Sequence, residues 1–595
     1  MPIPVLETEA ILDEAVRLQL AGDVDRAERI YRQVLTVHPD NARALHNLGT
    51  VHAASGQLDP ARRLVEQALA REPARAVFHA THAKICLTQD DHVCATAAYR
   101  RALELDPTLL AAWADLATLH FDARHFDEAL YCCRRALELG PEDPGQLHNL
   151  AAVLIKLWHI DEALALFRRA ADHPTAGPRI VTMVLFRLHF ARDGRQKEIL
   201  ALARRFGGLL EPAGGAAPPP LRDPDPERRL RIGYVSGDLR EHALAHFIAP
   251  LLSQHDRSAF EVHCFDASPS SDWVSGRFRA STDAWHDIRG LSDEDAAGLV
   301  CRSAIDILVD LSGHTDHHRL GLFARRSAPL QATWMGFMNT TGLRAMDYII
   351  ANDTLIPPGE EAFYVERPLR LPGSHLCFDP LMDPPPAVGA LPARARGHVT
   401  FGCFNKLDKV NADVVACWAR ILGALPDSRL LLKTPELDIP EVQARVIAAF
   451  GDAGVDASRL TLEGGAPRDA YCHAMNAMDI ALDPFPYCGG TVTCQTLWMG
   501  VPVLTLAGTE GMIGRYGASF LEALGLEDWI AGDQEEYVRK AVAFASDLDA
   551  LERLRAELRQ RLEHSTVGNG AVFVAQLETA LRAAWRARCA ATLSG

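Results

Sequence analysis

Hydrophobic and polar positions along the chain follow two different patterns. Through about the first 210 residues, apolar side chains recur one helical turn apart, which predicts a succession of amphipathic helices. From Leu230 onward, short apolar runs typical of buried strands, such as LRIGYVSGD and IDILVDLSG, alternate with helical stretches. The pattern therefore predicts an all-α part followed by an α/β part with parallel sheets.

The helical part is a repeat array. Pro39, Pro73, Pro107 and Pro141 are spaced 34 residues apart, and Pro174 follows one residue early. This is the tetratricopeptide period. Counting back from each proline gives a small residue and, four positions later, a larger one that we expect to pack between helices: Ala27 and Tyr31, Ala61 and Val65, Ala95 and Tyr99, Ala129 and Cys133, Ala163 and Phe167.

One polar position also recurs in the first helix of several repeats. Asn47 and Asn149 occupy it, with Asp115 between them. An amide both donates and accepts hydrogen bonds, so a ladder of these side chains could hold an extended peptide by its backbone. The alternative is an ordinary solvated face, because Asp13 and Thr81 interrupt the ladder.

Composition shifts divide the rest of the chain. The segment EPAGGAAPPPLRDPDPERR reads as a semi-rigid linker, and FDPLMDPPPAVGALPARARG separates two series of predicted strands and helices. The resulting domains are as follows: 1–210, five repeats over about 8–174 with closing helices; 211–229, linker; 230–392 and 393–560, two Rossmann-like halves; 561–595, a C-terminal helix.

Overall composition excludes several classes of protein. A net charge of -16 over 595 residues opposes broad binding to nucleic acid, and no apolar stretch is long enough to cross a membrane. The acidic N-terminus does not resemble a secretory signal, which favours a cytoplasmic location. The 13 cysteines include no Cys-x-x-Cys pair, so we expect free thiols and no metal site.

Three loops after predicted strands carry candidate chemistry, because ligands of parallel sheets bind beyond the carboxyl ends of the strands. Gly489, Gly490, Thr491 and Thr493 follow the strand DIALD and open a helix whose free amides suit a diphosphate. A tight strand-to-helix turn is the alternative.

The other two loops offer groups for catalysis. Asn405, Lys406 and Lys409 follow VTFGCFN, and a lysine there can stabilise a departing phosphate. His242 and His246 follow the first strand, where a neutral imidazole could orient or deprotonate a hydroxyl. His246, followed by FIAPLL, is the better candidate for a packed core residue.

These motifs together resemble the tetratricopeptide-containing protein O-glycosyltransferases of the O-GlcNAc transferase and SPINDLY type. The resemblance rests on LRIGYVSGDLREHALAHF, ILVDLSGHT, APLQATWMGFMNTTG, MDYIIAND, TFGCFNKLDKV, DIALDPFPYCGG and LWMGVPVLTLAG, in the family's order. It implies a GT-B fold of two Rossmann-like halves and an inverting, metal-independent transferase without a cofactor. It also implies that the repeats recruit a protein acceptor.

The resemblance assigns roles to individual residues. His242 matches the active-site histidine that contacts the acceptor hydroxyl, and Lys409 matches the lysine that holds the donor diphosphate. The donor-binding residues that it implies are Asn405, Arg468, Tyr471, Gly489, Gly490, Thr491, Thr493, Gln495, Thr340, Thr341 and Gly342. The acceptor-binding candidates are Asn47, Asp115 and Asn149.

Three departures from the family pattern all concern the donor. Gln495 stands where an acidic residue usually pairs with ribose hydroxyls, Tyr471 replaces a frequent histidine, and residues 337–339 replace an aromatic-Pro-Gly sequence. The first expectation is transfer from a donor similar to UDP-GlcNAc to Ser or Thr of a protein. The alternatives are a bacterial flagellin glycosyltransferase that uses a CMP-nonulosonic acid, and a non-catalytic scaffold.

Overall fold

The structure, a computed structural model, describes residues 5–192, 195–508 and 510–593. It separates into two compact units, one ending at Lys156 and the other beginning at Leu157. Among the described helices, none is long and apolar enough to cross a membrane.

The first unit consists of paired antiparallel helices, as the repeat pattern predicts. Every small residue of the predicted pairs is fully buried, and the larger partners are at most 1% exposed. Asp23, Asn41 and Asp91 cap the following helices by accepting backbone N–H bonds. The helices are α1 (Val5–Leu20), α2 (Val24–Val37), α3 (Ala42–Ala54), α4 (Leu58–Arg71), α5 (Ala76–Thr88), α6 (His92–Leu105), α7 (Leu110–Asp122), α8 (Phe126–Leu139) and α9 (Pro144–Lys156).

The last helices expected to close the array belong to the second compact unit. These are α10 (Ile160–Asp172), α11 (Pro178–Arg187) and α12 (Arg195–Leu210). Gly207 of α12 lies so close to the Gly342 backbone that a Cβ would collide with it. The compact division at Lys156 thus differs from the sequence-based boundary at 210, because these helices pack against the α/β region.

The first α/β half is a seven-stranded parallel sheet in the described residues, with strand order β3-β2-β1-β4-β5-β6-β7. Its strands are β1 (Leu230–Ser236), β2 (Phe260–Asp266), β3 (Ala284–Asp287), β4 (Ile307–Asp310), β5 (Leu330–Thr333), β6 (Tyr348–Ala351) and β7 (Arg367–Arg370). Its helices are α13 (Ala245–Gln254), α14 (Trp273–Ala280), α15 (Asp293–Arg302) and α16 (Leu320–Ala324). The order places β1 and β4 side by side at the centre, where polar loops meet at one edge.

The second half is a six-stranded parallel sheet over the described ranges, in the order β10-β9-β8-β11-β12-β13. Its strands are β8 (Thr400–Cys403), β9 (Arg429–Lys433), β10 (Leu460–Glu463), β11 (Ile480–Leu482), β12 (Val503–Leu506) and β13 (Ile530–Ala531). Its helices are α17 (Pro392–Arg396), α18 (Ala412–Ala424), α19 (Pro440–Asp452), α20 (Arg468–Met475), α21 (Thr491–Trp498), α22 (Tyr516–Ala523) and α23 (Gln534–Ala545).

Two further helices follow the second sheet, and α25 lies within the range 561–595 for which the sequence predicted a helix. The helix α24 (Leu548–His564) packs on the second half, since Arg555 donates to the carbonyls of Gly389 and Met478 at 2.8 Å each. The helix α25 (Gly570–Leu593) returns to the first half, where Glu578 lies 2.8 Å from His255 Nδ1.

Candidate active site

A glycine turn follows β11, and the helix α21 that it opens contacts the first half through Thr491. The buried Asp483 carboxylate accepts from Gly489 N at 2.7 Å and from Thr505 Oγ1 at 2.9 Å. A Cβ on Gly489 would collide with Thr493 Oγ1, whereas a Cβ on Gly490 would meet only Tyr516 at 3.8 Å. The turn therefore requires glycine at 489, and it delivers the backbone to the first turn of α21.

The side chain of Lys409 reaches the same turn from the neighbouring strand. A short 3-10 turn, Leu407–Lys409, follows β8 and carries it. Its Nζ donates to Cys488 O at 2.8 Å and to Asn405 Oδ1 at 3.3 Å, and lies 4.2 Å from the centre of the Tyr487 ring. The ammonium is thus held beside the glycine turn by neutral groups.

Burial shifts the pKa values of Lys409 and Asp483 in opposite directions. It lowers the pKa of Lys409, although Asp483 and Asp408 favour the charged form. It raises the pKa of Asp483 to about 6 in spite of the bond from Gly489 and the charge of Lys409. A negatively charged ligand at this place would favour the charged form of Lys409, since it would put an anion next to an ammonium that contacts only neutral groups among the described residues.

The loop after β1 approaches the glycine turn from the other half. Thr491 Oγ1, at the start of α21, donates to Ala243 O at 3.0 Å. The adjacent His242 is partly exposed, with 38% of its side chain accessible. Its Nδ1 lies 3.6 Å from Asp238 Oδ1 and accepts from Leu244 N at 3.3 Å.

His242 and Asp238 are electrostatically linked. Burial lowers the pKa of His242, and the Asp238 carboxylate opposes this shift. Burial also raises the pKa of Asp238, while His242 and Arg240 oppose it. A neutral imidazole beside the first turn of α21 can accept a proton from a hydroxyl.

His246 is a packed residue that positions Gln495. Its ring stacks on Phe378, and its Nδ1 donates to Asp379 O at 2.7 Å. That proton leaves Nε2 as an acceptor for Gln495 Nε2 at 3.3 Å. Gln495 is therefore buried and oriented by the first half, rather than free at the cleft surface.

The other donor-binding candidates of the second half lie nearby. Tyr471 donates its hydroxyl to Phe404 O at 2.8 Å, and burial raises its pKa. Arg468 stacks on Trp273 of the first half at 5.1 Å and lies 3.9 Å from Glu241. Arg468 thus spans the cleft close to the His242 loop.

Thr340, Thr341 and Gly342 are held in the interior of the first half. Thr340 Oγ1 donates to Glu366 at 2.6 Å, and the hydroxyl and backbone N–H of Thr341 bind the same carboxylate. Gly342 has a φ of +79° and packs against Ala203. Both threonine hydroxyls are therefore engaged with Glu366, and the structure does not bring them into the glycine turn.

Sequence reasoning missed several groups that shape the site. Asp483 directly follows β11 and could have been found by the strand-end rule that selected Lys409. Cys488 contributes a backbone carbonyl, which no side-chain pattern reveals. Trp158 donates through Nε1 to Leu407 O at 3.1 Å and Val410 O at 2.9 Å, and so clamps the turn that carries Lys409.

The acceptor-binding candidates lie on α3, α7 and α9 of the first unit. Asn47 Oδ1 lies 3.0 Å from His46 Nδ1, and its buried Nδ2 has no partner among the described residues. Asp115 accepts from Tyr99 OH at 2.7 Å. Asn149 is half-buried. The ladder thus combines one amide with an unused donor and one carboxylate already engaged.

Comparison with known proteins identifies both parts of the chain. Residues 220–379 and 390–577 match the model of glycosyl transferase family 41, and residues 18–85 match a tetratricopeptide repeat model. A lysine-to-methionine variant of the Thermobaculum terrenum O-GlcNAc transferase superposes with a TM-score of 0.79 at 37% identity. The match covers 88% of this chain and 99% of that one, and confirms the predicted fold class.

Several relatives with similar sequences are plant proteins. The probable UDP-N-acetylglucosamine–peptide N-acetylglucosaminyltransferase SPINDLY of Petunia hybrida is 38% identical over 373 residues, which is 61% of this chain and 40% of that protein. The Arabidopsis thaliana protein of the same name is 39% identical over 373 residues, again 61% and 40%. The chain thus spans about 40% of the length of these curated relatives.

Proposed function

The chain belongs to glycosyl transferase family 41, and from this premise we propose that it is a protein O-glycosyltransferase. It moves N-acetylglucosamine from UDP-GlcNAc to a Ser or Thr hydroxyl of a protein acceptor. The observation that carries the proposal is the Lys409 ammonium bonded at 2.8 Å to the glycine turn that opens α21. The names of the plant relatives and of the Thermobaculum enzyme support this donor.

The second half binds the donor diphosphate. Gly490 and the first turn of α21 present backbone amides at the positive end of that helix, and Lys409 adds a full charge. The Gly489 amide is held by Asp483 and fixes the turn. The leaving nucleoside diphosphate gains negative charge as the glycosidic bond breaks, so these groups bind the transition state more tightly than the ground state. The site thereby stabilises the leaving group with protein groups, and the reaction is metal-independent.

The first half prepares the acceptor hydroxyl. For catalysis, His242 Nδ1 gives up the hydrogen bond that it accepts from Leu244 N and carries a proton toward Asp238 Oδ1, 3.6 Å away. Nε2 is then free to accept the hydroxyl proton as the oxygen attacks the sugar. Attack from the side opposite the leaving diphosphate inverts the anomeric configuration. Asp238 acts through His242 and is a positioning residue.

The repeats recruit the acceptor. The free donor of Asn47, together with Asn149 and Asp115, can bind an extended peptide backbone. Asn47→Ala and Asn149→Ala should each weaken acceptor binding by about 0.5–1.5 kcal/mol. Hydrolysis of UDP-GlcNAc without acceptor should stay unchanged, and a loss of that basal hydrolysis would contradict a role confined to the acceptor.

Nucleotide preference tests the donor directly. In a thermal-shift series on the full chain with UDP, GDP and CMP, UDP should raise the melting temperature most, because ligand binding to the folded state stabilises it. Transfer to a co-expressed Ser/Thr-rich acceptor should add one or more N-acetylhexosamine masses. Stabilisation by CMP alone would favour the alternative donor and a flagellin acceptor, whereas no nucleotide binding would favour a scaffold.

The domain limits and setting are part of the same proposal. We propose 1–210 as the repeat domain with its closing helices, 211–229 as the linker, 230–392 and 393–560 as the two halves, and 561–595 as a C-terminal helix. The protein is bacterial and acts in the cytoplasm. Fractionation of the native cells, with a cytoplasmic marker as control, tests the location.

A further inference from the structure

Three soft ligand atoms converge in the repeat formed by α5 and α6. His82 and Cys86 lie one turn apart on α5, and Cys94 lies in the first turn of α6. His82 Nε2 is 3.7 Å from Cys86 Sγ, and the ligand atoms of all three residues lie within 4.8 Å of one another. The cluster belongs wholly to the first compact unit and is separate from the transferase cleft.

The cluster departs from the repeat pattern at a position that is otherwise apolar. The residues 34 positions before and after His82 are Leu48 and Leu116, which are 5% and 3% exposed. Among the three repeats that contain residues 48, 82 and 116, only the middle one has an imidazole where the other two have a core leucine. The His82 side chain is only 15% exposed, and a largely buried polar ring needs a partner to offset its loss of water. Cys86 Sγ lies 3.7 Å from this ring.

A fourth ligand and a balancing charge adjoin the cluster. Glu66 Oε1, on α4, lies 3.4 Å from His82 Nε2. Arg62 lies 3.7 Å from Cys94 Sγ and 3.1 Å from Glu66. The same guanidinium lies 3.2 Å from Asp91, so two thiolates, two carboxylates, a divalent cation and this guanidinium leave a net charge of -1.

Two of the separations match tetrahedral coordination, and the ligand atoms of the three residues all lie within 4.8 Å of one another. With Zn–S near 2.3 Å and Zn–N or Zn–O near 2.0 Å, the edges of such a tetrahedron are about 3.3–3.8 Å. The His82–Cys86 and His82–Glu66 separations of 3.7 and 3.4 Å fall within that range. Thiolate and imidazole together select zinc over magnesium or calcium.

We propose that His82, Cys86 and Cys94 bind one zinc ion within the repeat array, with Glu66 as the fourth ligand. Binding displaces the thiol protons into solvent and changes no oxidation state. The ion ties α4, α5 and α6 together, and so stiffens two neighbouring repeats. The proposal departs from the sequence-based expectation of no metal, which rested on the lack of a Cys-x-x-Cys pair, whereas these cysteines lie on two helices with seven residues between them.

Cobalt substitution tests the site in the full-length protein kept under a thiol-free reductant. One equivalent of Co²⁺ should produce the thiolate-to-metal charge-transfer absorption and the visible bands of a tetrahedral ion, and Zn²⁺ should displace it. The Cys86→Ser/Cys94→Ser double variant should lose the absorption and bind zinc far more weakly, beyond the roughly 10–100-fold loss typical of an outer-shell change. Cys301→Ser, at an exposed cysteine elsewhere, is the matched control and should bind like the wild type.

Three results would overturn the proposal. These are no charge-transfer absorption in the wild type, equal zinc binding by the double variant, or a Cys86–Cys94 disulfide that persists in the reductant. If the double variant fails to fold, Glu66→Gln serves instead. It should fold, because Glu66 is half exposed, and should retain the charge-transfer band while changing the visible bands and weakening binding. An unchanged spectrum and affinity in Glu66→Gln would remove Glu66 from the site.

Discussion

Replacing Lys409 by alanine tests the centre of the proposed mechanism. The substitution removes the ammonium that lies 2.8 Å from Cys488 O and leaves the glycine turn intact, since Gly489 is held separately by Asp483. Loss of one preorganised group that stabilises developing charge lowers turnover by roughly 100- to 1000-fold, or about 2.7–4 kcal/mol. We expect a loss of this size in the single-turnover rate.

The same substitution should affect donor binding and stability much less. Burial lowers the pKa of Lys409, so the folded state holds this ammonium at a cost, and its removal does not take away a strong stabilising ion pair. Asp483 then loses a nearby positive charge, and its pKa should rise further above about 6. The melting temperature should therefore stay close to that of the wild type.

The assay is a single-turnover measurement at saturating UDP-GlcNAc, with the acceptor's mass shift as readout. Lys406→Ala is the matched control, because this neighbouring lysine is exposed, and it should keep nearly normal turnover. A folded Lys409→Ala protein that transfers at the wild-type rate would refute the reasoning. A large rise in KM with unchanged turnover would show that Lys409 acts in the ground state only.

Three further substitutions probe neighbouring features. Gly489→Ala should distort the turn and raise the donor KM at least tenfold, which corresponds to about 1.4 kcal/mol. Gly490→Ala, whose new Cβ meets only Tyr516, should bind UDP normally in calorimetry. Equal effects of the two substitutions would contradict the steric argument. Trp158→Phe removes two hydrogen bonds from the Lys409 turn and should lower kcat up to about tenfold. The control is Trp285→Phe, which should leave kcat unchanged because Trp285 Nε1 has no hydrogen-bond partner within the described ranges. Equal kcat values for the two variants would exclude the role of Trp158 in holding this turn. Asp238→Asn should lower the plateau of the kcat–pH profile and move its acid limb to lower pH. The Asp238 carboxylate raises the pKa of His242 against the effect of burial, and activity falls as the imidazole gains a proton. An acid limb that stays in place or moves to higher pH would contradict this linkage.

The repeats could be predicted almost completely from the sequence. A strict period fixes which side chains meet, because every repeat packs only on its neighbours. The pairs from Ala27 and Tyr31 to Ala163 and Phe167 are accordingly buried. The limits of the compact units could not be read in this way, since the packing of Gly207 on Gly342 joins positions far apart in the chain.

The candidate site was predictable where its residues lie in loops directly after strands. Lys409 and Gly489 follow β8 and β11, and adjacent parallel strands bring their loops together. Thr340 and Thr341 show that a residue's place in a motif does not predict its contacts. Their hydroxyls bind Glu366, which lies 25 or more residues away in the sequence. Backbone acceptors such as Cys488 O leave no mark in a sequence.

The return of α25 to the first half has a consequence for how the protein is made. Arg582 on this helix donates to the carbonyls of Pro226 and Arg228 at 2.9 and 2.8 Å, at the entrance to β1. The first sheet therefore lacks one of its covering layers until α25 has emerged from the ribosome. The second sheet, whose own helix α24 precedes α25, can complete its core earlier. Synthesis from the N-terminus thus finishes the two halves in the reverse of their order along the chain.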